Sequence, residues 1–374
     1  MSRTLQSAQP TTFSRILAVG GVRGEYTVMN DDIVEPINSS DEWIQRRTGI
    51  VSRRRASQSV LVQDLAEGAG RAAVEAAGVD PSLIDVVIIS TVSWMQPTPG
   101  MAPIVAAAIG ASPSAAAYDV NAGCAGYCYG IGQADGMIRS GLAKYVLVIG
   151  AEKLSDYADP TDRSISFIIA DGAGAALLGP SETPGIGPTI WGSDGTHADA
   201  ITMTHTWLDY KNAAPGSEIE WPTARQEGPS VYRWAVSEMP KMAARAIEAA
   251  GLLPEDIDVF IPHQANLRIV EGMAQKLGMR DDVVVAHDIV DTGNTSGASV
   301  PLATERLLRE GRAKGGQIAL QFGFGAGLAY AAQVVVLPDA WAPETVLTGE
   351  SKAAGIAAAE AAAEQDAADL SAAE

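Results

Sequence analysis

Apolar and polar positions divide the chain into segments with two different periodicities. Residues 85–91 and 145–150 are continuous apolar runs, which are typical of strands covered on both faces. Residues 62–78 carry apolar positions at helical spacing and end at a glycine, which predicts an amphipathic helix. Residues 16–21 predict a first strand. This mixture of helices and buried strands predicts an α/β protein.

A cysteine lies between two further apolar segments. Residues 115–120 predict a strand, and residues 125–139 are apolar almost all round, which predicts a buried helix. Cys124 would lie at the strand-to-helix turn, where unpaired N–H groups favour negative charge. Because such a setting can lower the pKa of a thiol, the position suits a nucleophile. Taken alone, a single cysteine at an apolar helix start is more often a small core residue.

The sequence contains an internal repeat. Residues 72–90 (AAVEAAGVDPSLIDVVIIS) align without a gap with residues 245–263 (RAIEAAGLLPEDIDVFIPH), an offset of 245 − 72 = 173. The same offset places Asn121 opposite Asn294 and Gly150 opposite Gly323. A register kept for so long predicts two copies of one helix-strand-helix-strand unit, packed about an approximate two-fold axis.

The repeat selects candidate partners for the cysteine. Ser90, at the end of a predicted strand, has His263 as its counterpart, and Asn294 lies before the counterpart of the Cys124 turn. Since equivalent loops of two related copies can converge on one cleft, we expect His263 and Asn294 near Cys124. The alternatives are a structural histidine at a strand end and an asparagine that forms a turn or N-cap.

Two loop segments add to this picture. Residues 180–230 are irregular and rich in Gly, Pro and Thr, and long segments of this kind tend to be binding loops. We expect part of a substrate pocket there. Residues 322–327 form a Gly-rich turn without a phosphate-loop spacing, so we expect amides that point at a reaction centre.

Composition excludes several classes of protein. The 374 residues are 47% hydrophobic and 19% charged, which predicts a globular protein with an ample core. Cys124 and Cys128 are too few for a disulfide scaffold and poorly spaced for zinc, so no metal is predicted. A net charge of −19 argues against a nucleic-acid partner. With no signal peptide or long apolar span in the sequence, we expect a cytoplasmic location and no membrane partner.

One basic cluster stands out in this acidic chain. Two interpretations remain open for it, an anion-binding site or a solvated face. Its members are Arg46, Arg47, Arg53, Arg54 and Arg55.

Five motifs, in order, resemble one family. The chain resembles a beta-ketoacyl-acyl-carrier-protein synthase III from about residue 16 to residue 337. The resemblance implies a thiolase-like fold, in which two pseudo-symmetric α/β halves give a layered α-β-α-β-α architecture. The motifs are DEWIQRRTGI at 41–50, NAGCAG at 121–126, DGAGAA at 171–176, PHQAN at 262–266 and GNTSGAS at 293–299.

The resemblance implies a decarboxylative Claisen condensation that initiates type II fatty-acid synthesis. Cys124 would take the acyl group of an acyl-CoA, and malonyl-acyl carrier protein would then lose CO2 to give 3-oxoacyl-acyl carrier protein. His263 and Asn294 would donate to the enolate oxygen, where one fixed donor contributes roughly 3–4 kcal/mol. The N–H groups of Cys124 and Ala326 would form a second oxyanion site.

The resemblance also implies binding residues and partners. Thr98 stands where acetyl-specific relatives often have phenylalanine, so we expect a starter larger than acetyl, such as a branched or medium-chain acyl-CoA. Acyl-CoA is then a substrate, no cofactor is expected, and the enzyme would be a homodimer. The implied contacts are Trp43, Arg47, Arg163 and Asn266 for CoA, Arg268 and Lys276 for the carrier protein, and Thr98 and Phe324 for the acyl pocket.

The chain is expected to divide into four parts. Residues 1–14 would be a polar leader, residues 15–185 the half that carries the cysteine, and residues 186–338 the half that carries His263 and Asn294. Residues 339–374, rich in alanine and acidic residues, predict a disordered tail.

Other functions remain as alternatives. A cysteine hydrolase also uses Cys, His and Asn in this chain order, but it does not predict the repeat. Polyketide-type and hydroxymethylglutaryl-CoA-type synthases share the expected fold, whereas a thiolase would need a second catalytic cysteine, for which Cys128 is badly placed. A non-catalytic binding protein would be expected to have lost Cys124, His263 or Asn294, and all three are present.

Overall fold

The computed structural model describes residues 13–343 and 345–350. The strands are β1 (Phe13–Gly24), β2 (Tyr26–Met29), β3 (Ser52–Arg55), β4 (Val86–Ser90), β5 (Ala116–Val120), β6 (Val146–Lys153), β7 (Asp171–Ser181), β8 (Ile190–Ser193), β9 (Ile201–Met203), β10 (Ala224–Gln226), β11 (Val259–Pro262), β12 (Val284–Val285), β13 (Ile318–Gly325), β14 (Ala329–Val336), β15 (Ala340–Trp341) and β16 (Thr345–Leu347). The helices are α1 (Asp41–Thr48), α2 (Val62–Ala77), α3 (Met101–Ala108), α4 (Gly126–Arg139), α5 (Trp207–Asn212), α6 (Gly228–Ser237), α7 (Met239–Ala249), α8 (Leu267–Leu277), α9 (Ile289–Thr292) and α10 (Ser299–Arg309).

Two sheets repeat one strand order. The first sheet contains the run β1-β7-β6-β4-β5, and the second contains β8-β14-β13-β11-β12. In both, the last three strands of the run are mutually parallel, and the first two pairs of the run are antiparallel. The two sheets are therefore copies of one topology.

The repeat found in the sequence matches the element boundaries. β4 begins at Val86 and β11 at Val259, so the offset is 259 − 86 = 173. α4 begins at Gly126 and α10 at Ser299, and 299 − 126 is again 173. The predicted pair of pseudo-symmetric α/β halves is confirmed.

The apolar residues form layers around the two sheets. The central cluster joins α4 and α10 to strands of both sheets, so these helices lie between the sheets. A second cluster packs α2 and α3 on the outer face of the first sheet. A third packs α6, α7 and α8 on the outer face of the second sheet. The predicted order α-β-α-β-α follows, since each sheet is covered on both faces.

Two glycines let each half approach the other closely. A Cβ atom on Gly150 in β6 would overlap the carbonyl oxygen of Gly297, in the turn before α10. A Cβ atom on Gly323 in β13 would lie 2.8 Å from the Cα atom of Ala125, in the turn before α4. Gly323 is the counterpart of Gly150, because 323 − 150 = 173. Each central strand therefore accommodates the turn of the other half.

Two segments differ from the sequence prediction. The segment 180–230 is less irregular than expected, since it contains β8, β9, β10 and α5. The tail predicted from residue 339 does not begin there, because β15 and β16 pair in parallel with β1. Residues 351–374 of that tail, and residues 1–12 of the predicted leader, lie outside the described residues, while Phe13 and Ser14 belong to β1. The division into halves at residue 185 stays a prediction.

The helices of the described residues are too short or too polar to cross a membrane.

Candidate active site

A cavity of about 860 Å³ brings together the residues that the repeat selected. Cys124, His263 and Asn294 all line it, although 170 residues separate the first from the last (294 − 124 = 170). The segment predicted as part of a substrate pocket contributes β9, β10 and the start of α6 to the wall. From the remaining predicted contacts, the lining includes Trp43, Arg47, Arg163, Asn266, Arg268, Phe324 and Ala326.

Cys124 lies in a single 3-10 turn, Gly123–Ala125, that leads directly into α4. Its side chain is only partly accessible. The end of β13 packs against the sulfur, since a Cβ atom on Gly325 would lie 2.8 Å from Sγ. The backbone N–H groups of Cys124 and Ala326 and the Ser296 hydroxyl lie close enough to the sulfur to favour the thiolate. Three donors therefore face the position where a thiolate would form.

Burial nevertheless raises the pKa of the Cys124 thiol to about 11, and the charge of Glu152 adds to the increase. The hydrogen bonds from Ser296 and from the two amides act in the opposite direction but are outweighed. The expectation that the helix start lowers this pKa is wrong in its net result. At neutral pH the thiol is protonated, so the nucleophile needs a proton acceptor.

His263 follows β11 and is buried, with its backbone N–H bonded to the Phe322 carbonyl at 2.6 Å. Its Nδ1 lies 2.7 Å from Ser299 Oγ, and its ring meets the ring of Phe324 at 5.5 Å, edge to face. Burial lowers the pKa of His263 to about 3, so the imidazole is neutral.

The tautomer of this histidine follows from its partner. The Gln264 N–H donates to Ser299 Oγ at 3.3 Å, which leaves the Ser299 hydroxyl proton for Nδ1 of His263. Nε2 then carries the ring proton. His263 is a neutral N–H donor.

Asn294 is held as a second neutral donor. Its Oδ1 accepts the Ser296 N–H at 2.8 Å, which leaves Nδ2 for a ligand. Its backbone is fixed on both sides, because its N–H donates to the Ile168 carbonyl at 2.7 Å and its carbonyl accepts the Ala170 N–H at 2.8 Å. The cavity thus presents one thiol and two neutral donors, an arrangement suited to developing negative charge on a substrate oxygen.

Ala326 directly follows β13 and begins the turn Ala326–Leu328. Its φ angle is not positive, while the following Gly327 has a φ of 130°. The alanine therefore carries no left-handed strain, and its N–H still reaches Cys124. Its role as an oxyanion donor stays a prediction.

Comparison with known proteins decides the family. The family model for 3-oxoacyl-[acyl-carrier-protein] synthase III matches residues 118–195, and the model of its C-terminal part matches residues 247–337. A beta-ketoacyl-[acyl-carrier-protein] synthase III of Kocuria rhizophila is 49% identical over 354 residues, covering 90% of this chain and 99% of the relative. Another of that name, from Mycobacteroides abscessus, is 53% identical over 323 residues, covering 86% of this chain and 94% of the relative.

The chain belongs to the beta-ketoacyl-[acyl-carrier-protein] synthase III family. Among solved structures, the priming beta-ketosynthase of the R1128 polyketide pathway superposes with a TM-score of 0.86 and is 43% identical. This match covers 90% of the present chain and 99% of that one. The predicted thiolase-like α/β fold is confirmed, and the protein is an acyltransferase-type condensing enzyme of type II fatty-acid synthesis.

The residues of this synthase that were predicted to bind CoA lie together at the cavity. There is, however, no open space for the nucleotide base between Trp43 and Arg163. The Arg163 guanidinium lies 4.7 Å from the centre of the Trp43 ring, and that of Arg47 lies 5.5 Å from it. Phe167 contacts the same ring from its edge at 5.3 Å. Because Arg163 already stacks on Trp43, a base could enter between them only if Arg163 moved.

Asn266 links two elements of the synthase wall. Its Oδ1 accepts the Arg268 N–H at 2.9 Å and caps α8, while its Nδ2 donates to the Arg47 carbonyl at 3.0 Å. Arg268 also lies over the ring of Tyr232 at 5.7 Å. Asn266 therefore has a structural role beside any contact with pantetheine.

Two residues predicted to bind ligands lie outside the cavity lining. Lys276 donates to the Val236 carbonyl at 2.7 Å. Thr98 is exposed and lies before α3. Phe324, the other predicted acyl-pocket residue, is buried beside His263. The roles of all three stay predictions.

Three polar residues of the synthase site, Glu152, Ser296 and Ser299, were not predicted from the sequence. Glu152 lies two residues after the predicted strand 145–150, and a carboxylate so close to the end of a buried strand could have indicated a site residue. Ser296 and Ser299 lie within the GNTSGAS motif, but which of its hydroxyls contacts the site depends on the turn. Across the described residues there is no cluster of His, Cys, Asp and Glu that could hold a metal ion.

Proposed function

We propose that this synthase transfers the acyl group of an acyl-CoA to Cys124 and condenses it with malonyl-acyl carrier protein. The products are 3-oxoacyl-acyl carrier protein, CoA and CO2, and no cofactor takes part. One observation carries the proposal: a thiol and two neutral N–H donors, at Cys124, His263 and Asn294, line a single cavity.

The chemistry uses these groups in two steps. Sγ of Cys124 attacks the thioester carbonyl, and the N–H groups of Cys124 and Ala326 stabilise the oxyanion that forms. After CoA leaves, His263 Nε2–H and Asn294 Nδ2–H donate to the malonyl thioester oxygen. Loss of CO2 then gives an enolate held by two donors, and its carbon attacks the acyl-Cys124 carbonyl.

The cavity rim supports the two substrates. Arg47 and Arg163 supply positive charge beside the Trp43 ring, which suits a nucleotide with phosphates. Arg268 is placed to meet an acidic carrier protein on an enzyme that is negative overall. Lys276 is proposed as a second docking contact after release from the Val236 carbonyl.

We propose a starter larger than acetyl and a homodimer, both argued from Thr98. Its side chain is exposed in a single chain, as expected for a residue that reaches into a partner's acyl tunnel beside Phe324. A threonine leaves more room than a phenylalanine.

The chemistry is tested by intact mass after incubation with acyl-CoA and then malonyl-acyl carrier protein. Wild type should gain an acyl adduct and then release ketoacyl product and CO2, whereas Cys124→Ala should gain no adduct. His263→Ala and Asn294→Ala should keep adduct formation better than condensation. Equal loss of both steps in these two variants would contradict the proposed division of roles.

The starter is tested with acetyl-, isobutyryl- and octanoyl-CoA. Wild type should prefer the larger starters, and Thr98→Phe should shift the preference towards acetyl by about tenfold, the lower range for pocket discrimination of a few methylenes. Strong acetyl preference of the wild type would refute the larger starter. Mass measurement in solution checks the homodimer.

A second pathway is supported by one comparison. The 43% identical priming beta-ketosynthase acts in a polyketide pathway, so the same condensation in polyketide priming is the alternative. Competition between malonyl-loaded carrier proteins of the two pathways decides between them.

A further inference from the structure

A buried carboxyl group lies beside the nucleophile and has no part in the condensation steps above. Glu152 is in β6 and is completely buried. Its carboxylate accepts the Ser93 hydroxyl at 2.6 Å, the Val92 N–H at 3.2 Å and the Thr91 hydroxyl at 3.3 Å. These bonds hold the carboxylate in one orientation.

The turn of the second half connects this carboxylate to the sulfur. The Ser296 hydroxyl lines the same cavity as Cys124 and is close enough to the Cys124 thiol and the Glu152 carboxyl group to lower the pKa of each. Ser296 is buried, and its φ of 46° is unusual for a residue other than glycine. A Cβ atom on Gly297 would lie 3.6 Å from Glu152 Oε1, so this turn packs directly on the carboxylate.

We propose that Ser296 and Glu152 form the proton relay of Cys124. The S–H bond breaks as its proton passes to Ser296 Oγ, and the Ser296 hydroxyl proton passes to a carboxylate oxygen of Glu152. The negative charge thus moves from the carboxylate to Sγ, with no change in total charge. When the acyl group is transferred, the proton returns by the same path to the departing CoA sulfur. This return step rests on the proposed acyl transfer, whereas the first step does not.

The ionisation of the two groups fits a shared proton. Burial raises the pKa of Glu152 to about 7, so the carboxyl group can both accept and release a proton near neutrality. Ionised Glu152 in turn raises the pKa of Cys124, because two anions so close in a buried site repel each other.

Three other ionisable groups, Tyr157, Lys153 and His263, lie near Cys124 and Glu152. Tyr157 faces both groups, and burial with their charges raises its pKa to about 12. Lys153, next to Glu152 in β6, pairs with Asp156 at 3.1 Å. His263 is neutral because burial lowers its pKa. A transition near pH 7 at Cys124 therefore reports Glu152.

Two readouts separate a relay from other roles. Alkylation of Cys124 by iodoacetamide needs only the thiolate, whereas acylation by acyl-CoA also needs a proton for the leaving sulfur. In wild type, the alkylation rate should rise with pH and bend near pH 7, where Glu152 ionises. Peptide mass mapping assigns the alkylated cysteine.

Glu152→Gln keeps an acceptor for Ser93 but cannot take a proton. Its alkylation should lose the bend near pH 7 and become faster than wild type above it, because the repelling charge is gone. Its single-turnover acylation should fall about 10²-fold, the lower range for general acid–base catalysis. Ser296→Ala should show a similar fall in acylation while leaving the carboxylate and its Ser93 bond in place.

Ser93→Ala is the matched control. It removes a hydrogen bond that favours the ionised carboxylate but leaves the relay intact. The alkylation bend should move to higher pH, and acylation at pH 8 should stay within about threefold of wild type.

Three results would overturn the relay. Faster acylation by Glu152→Gln would assign the carboxylate a purely repulsive role, and an equal fall of acylation and alkylation would assign it a structural one. A loss of acylation in Ser93→Ala as large as in Glu152→Gln would do the same. If wild type forms no acyl adduct with any acyl-CoA, the proposed function fails, while the alkylation bend still reports the shared proton.

Discussion

The turns before α4 and α10 have the same place in the two halves but carry different chemistry. Gly123–Ala125 presents the thiol of Cys124 to the cavity. Ser296–Ala298 presents the Ser296 hydroxyl, and Gly297 is the counterpart of Cys124 because 297 − 124 = 173. The duplication therefore supplies the position, and the residue at each position supplies the role.

The strand ends beside these turns show the same division. In the first half, Ser90 packs so tightly on Gly126 that a Cβ atom there would collide with Ser90 Oγ. In the second half the counterparts are His263 and Ser299, which hydrogen-bond at 2.7 Å. The position of a tight Ser–Gly contact in the first half is thus occupied by a hydrogen-bonded His–Ser pair in the second. Only the second half has an imidazole whose tautomer is fixed by a neighbour.

The close packing of the halves gives the largest expected effect. Gly150→Ala and Gly323→Ala should each lower the free energy of unfolding by at least about 3 kcal/mol, because a new Cβ atom meets backbone atoms of the other half. Gly136→Ala is the control, since it lies in α4 with open space around its Cβ position and should stabilise by about 0.5–1 kcal/mol. Urea unfolding measures all three. A large effect at only one of the two strand glycines would show that the halves do not pack equivalently.

The strand-end pair predicts the next largest difference. His263→Ala should lower single-turnover condensation by about 10²–10³-fold, as for loss of one oxyanion donor. Ser90→Ala should leave condensation within about threefold, because Ser90 Oγ has no hydrogen-bond partner within the described residues and its removal leaves no donor unpaired. Rapid-quench assays on pre-acylated enzyme measure both. Equal losses would mean that the two strand ends share one role.

The two equivalent asparagines sharpen the comparison further. Asn294→Ala should lower condensation by about tenfold to a hundredfold, a smaller loss than for His263→Ala because an amide N–H is a weaker hydrogen-bond donor than an imidazole N–H. Asn121→Ala should leave the rate unchanged, because Asn121 is exposed and does not line the cavity. The same assay measures both variants, and unfolding curves check that each remains folded. A loss at Asn121 as large as at Asn294 would contradict the assignment of donors to the second half alone.

Much of the fold could be predicted from the sequence because the repeat is marked by residues with strict backbone requirements. Pro81 and Pro254 start equivalent 3-10 turns, and Gly78 and Gly251 both adopt positive φ angles. Such residues keep the register visible even where the apolar residues differ. The residues of segment 180–230 that align with the repeat are few, and its Gly and Pro residues are irregularly spaced, so its strands were not predicted. Only in the structure is β8 recognised as the counterpart of β1.

The site was predictable in position but not in ionisation. The repeat selected the three residues that line the cavity, yet the pKa of Cys124 was expected to fall and instead rises, because burial outweighs the donors at the turn. Glu152 was not predicted as a site residue, because its pKa depends on burial and on Ser296, which lies 144 residues away (296 − 152 = 144). Direct stacking of Arg163 on Trp43 is likewise a property of the folded cavity.

The smallest predicted effect is a pH dependence that belongs to the second half alone. Burial lowers the pKa of His263 to about 3, whereas an unfolded histidine titrates near about 6.5. Between these values the unfolded chain binds more protons, so stability falls as pH falls, by about 1.4 kcal/mol for each unit below 6.5. Ser90, the counterpart, cannot titrate in this range. His263→Ala should therefore lose less stability than wild type on acidification.

Urea unfolding near pH 7.5 and near pH 5.5 checks this slope. The stability difference between wild type and His263→Ala should shrink by about 1.4 kcal/mol over the one unit below 6.5. The opposite contribution of Glu152, whose pKa is raised, is present in both proteins and cancels in the difference. If the stability of His263→Ala falls on acidification as steeply as that of wild type, the imidazole is solvated in the folded protein, and the assignment of a neutral donor to the second half is wrong.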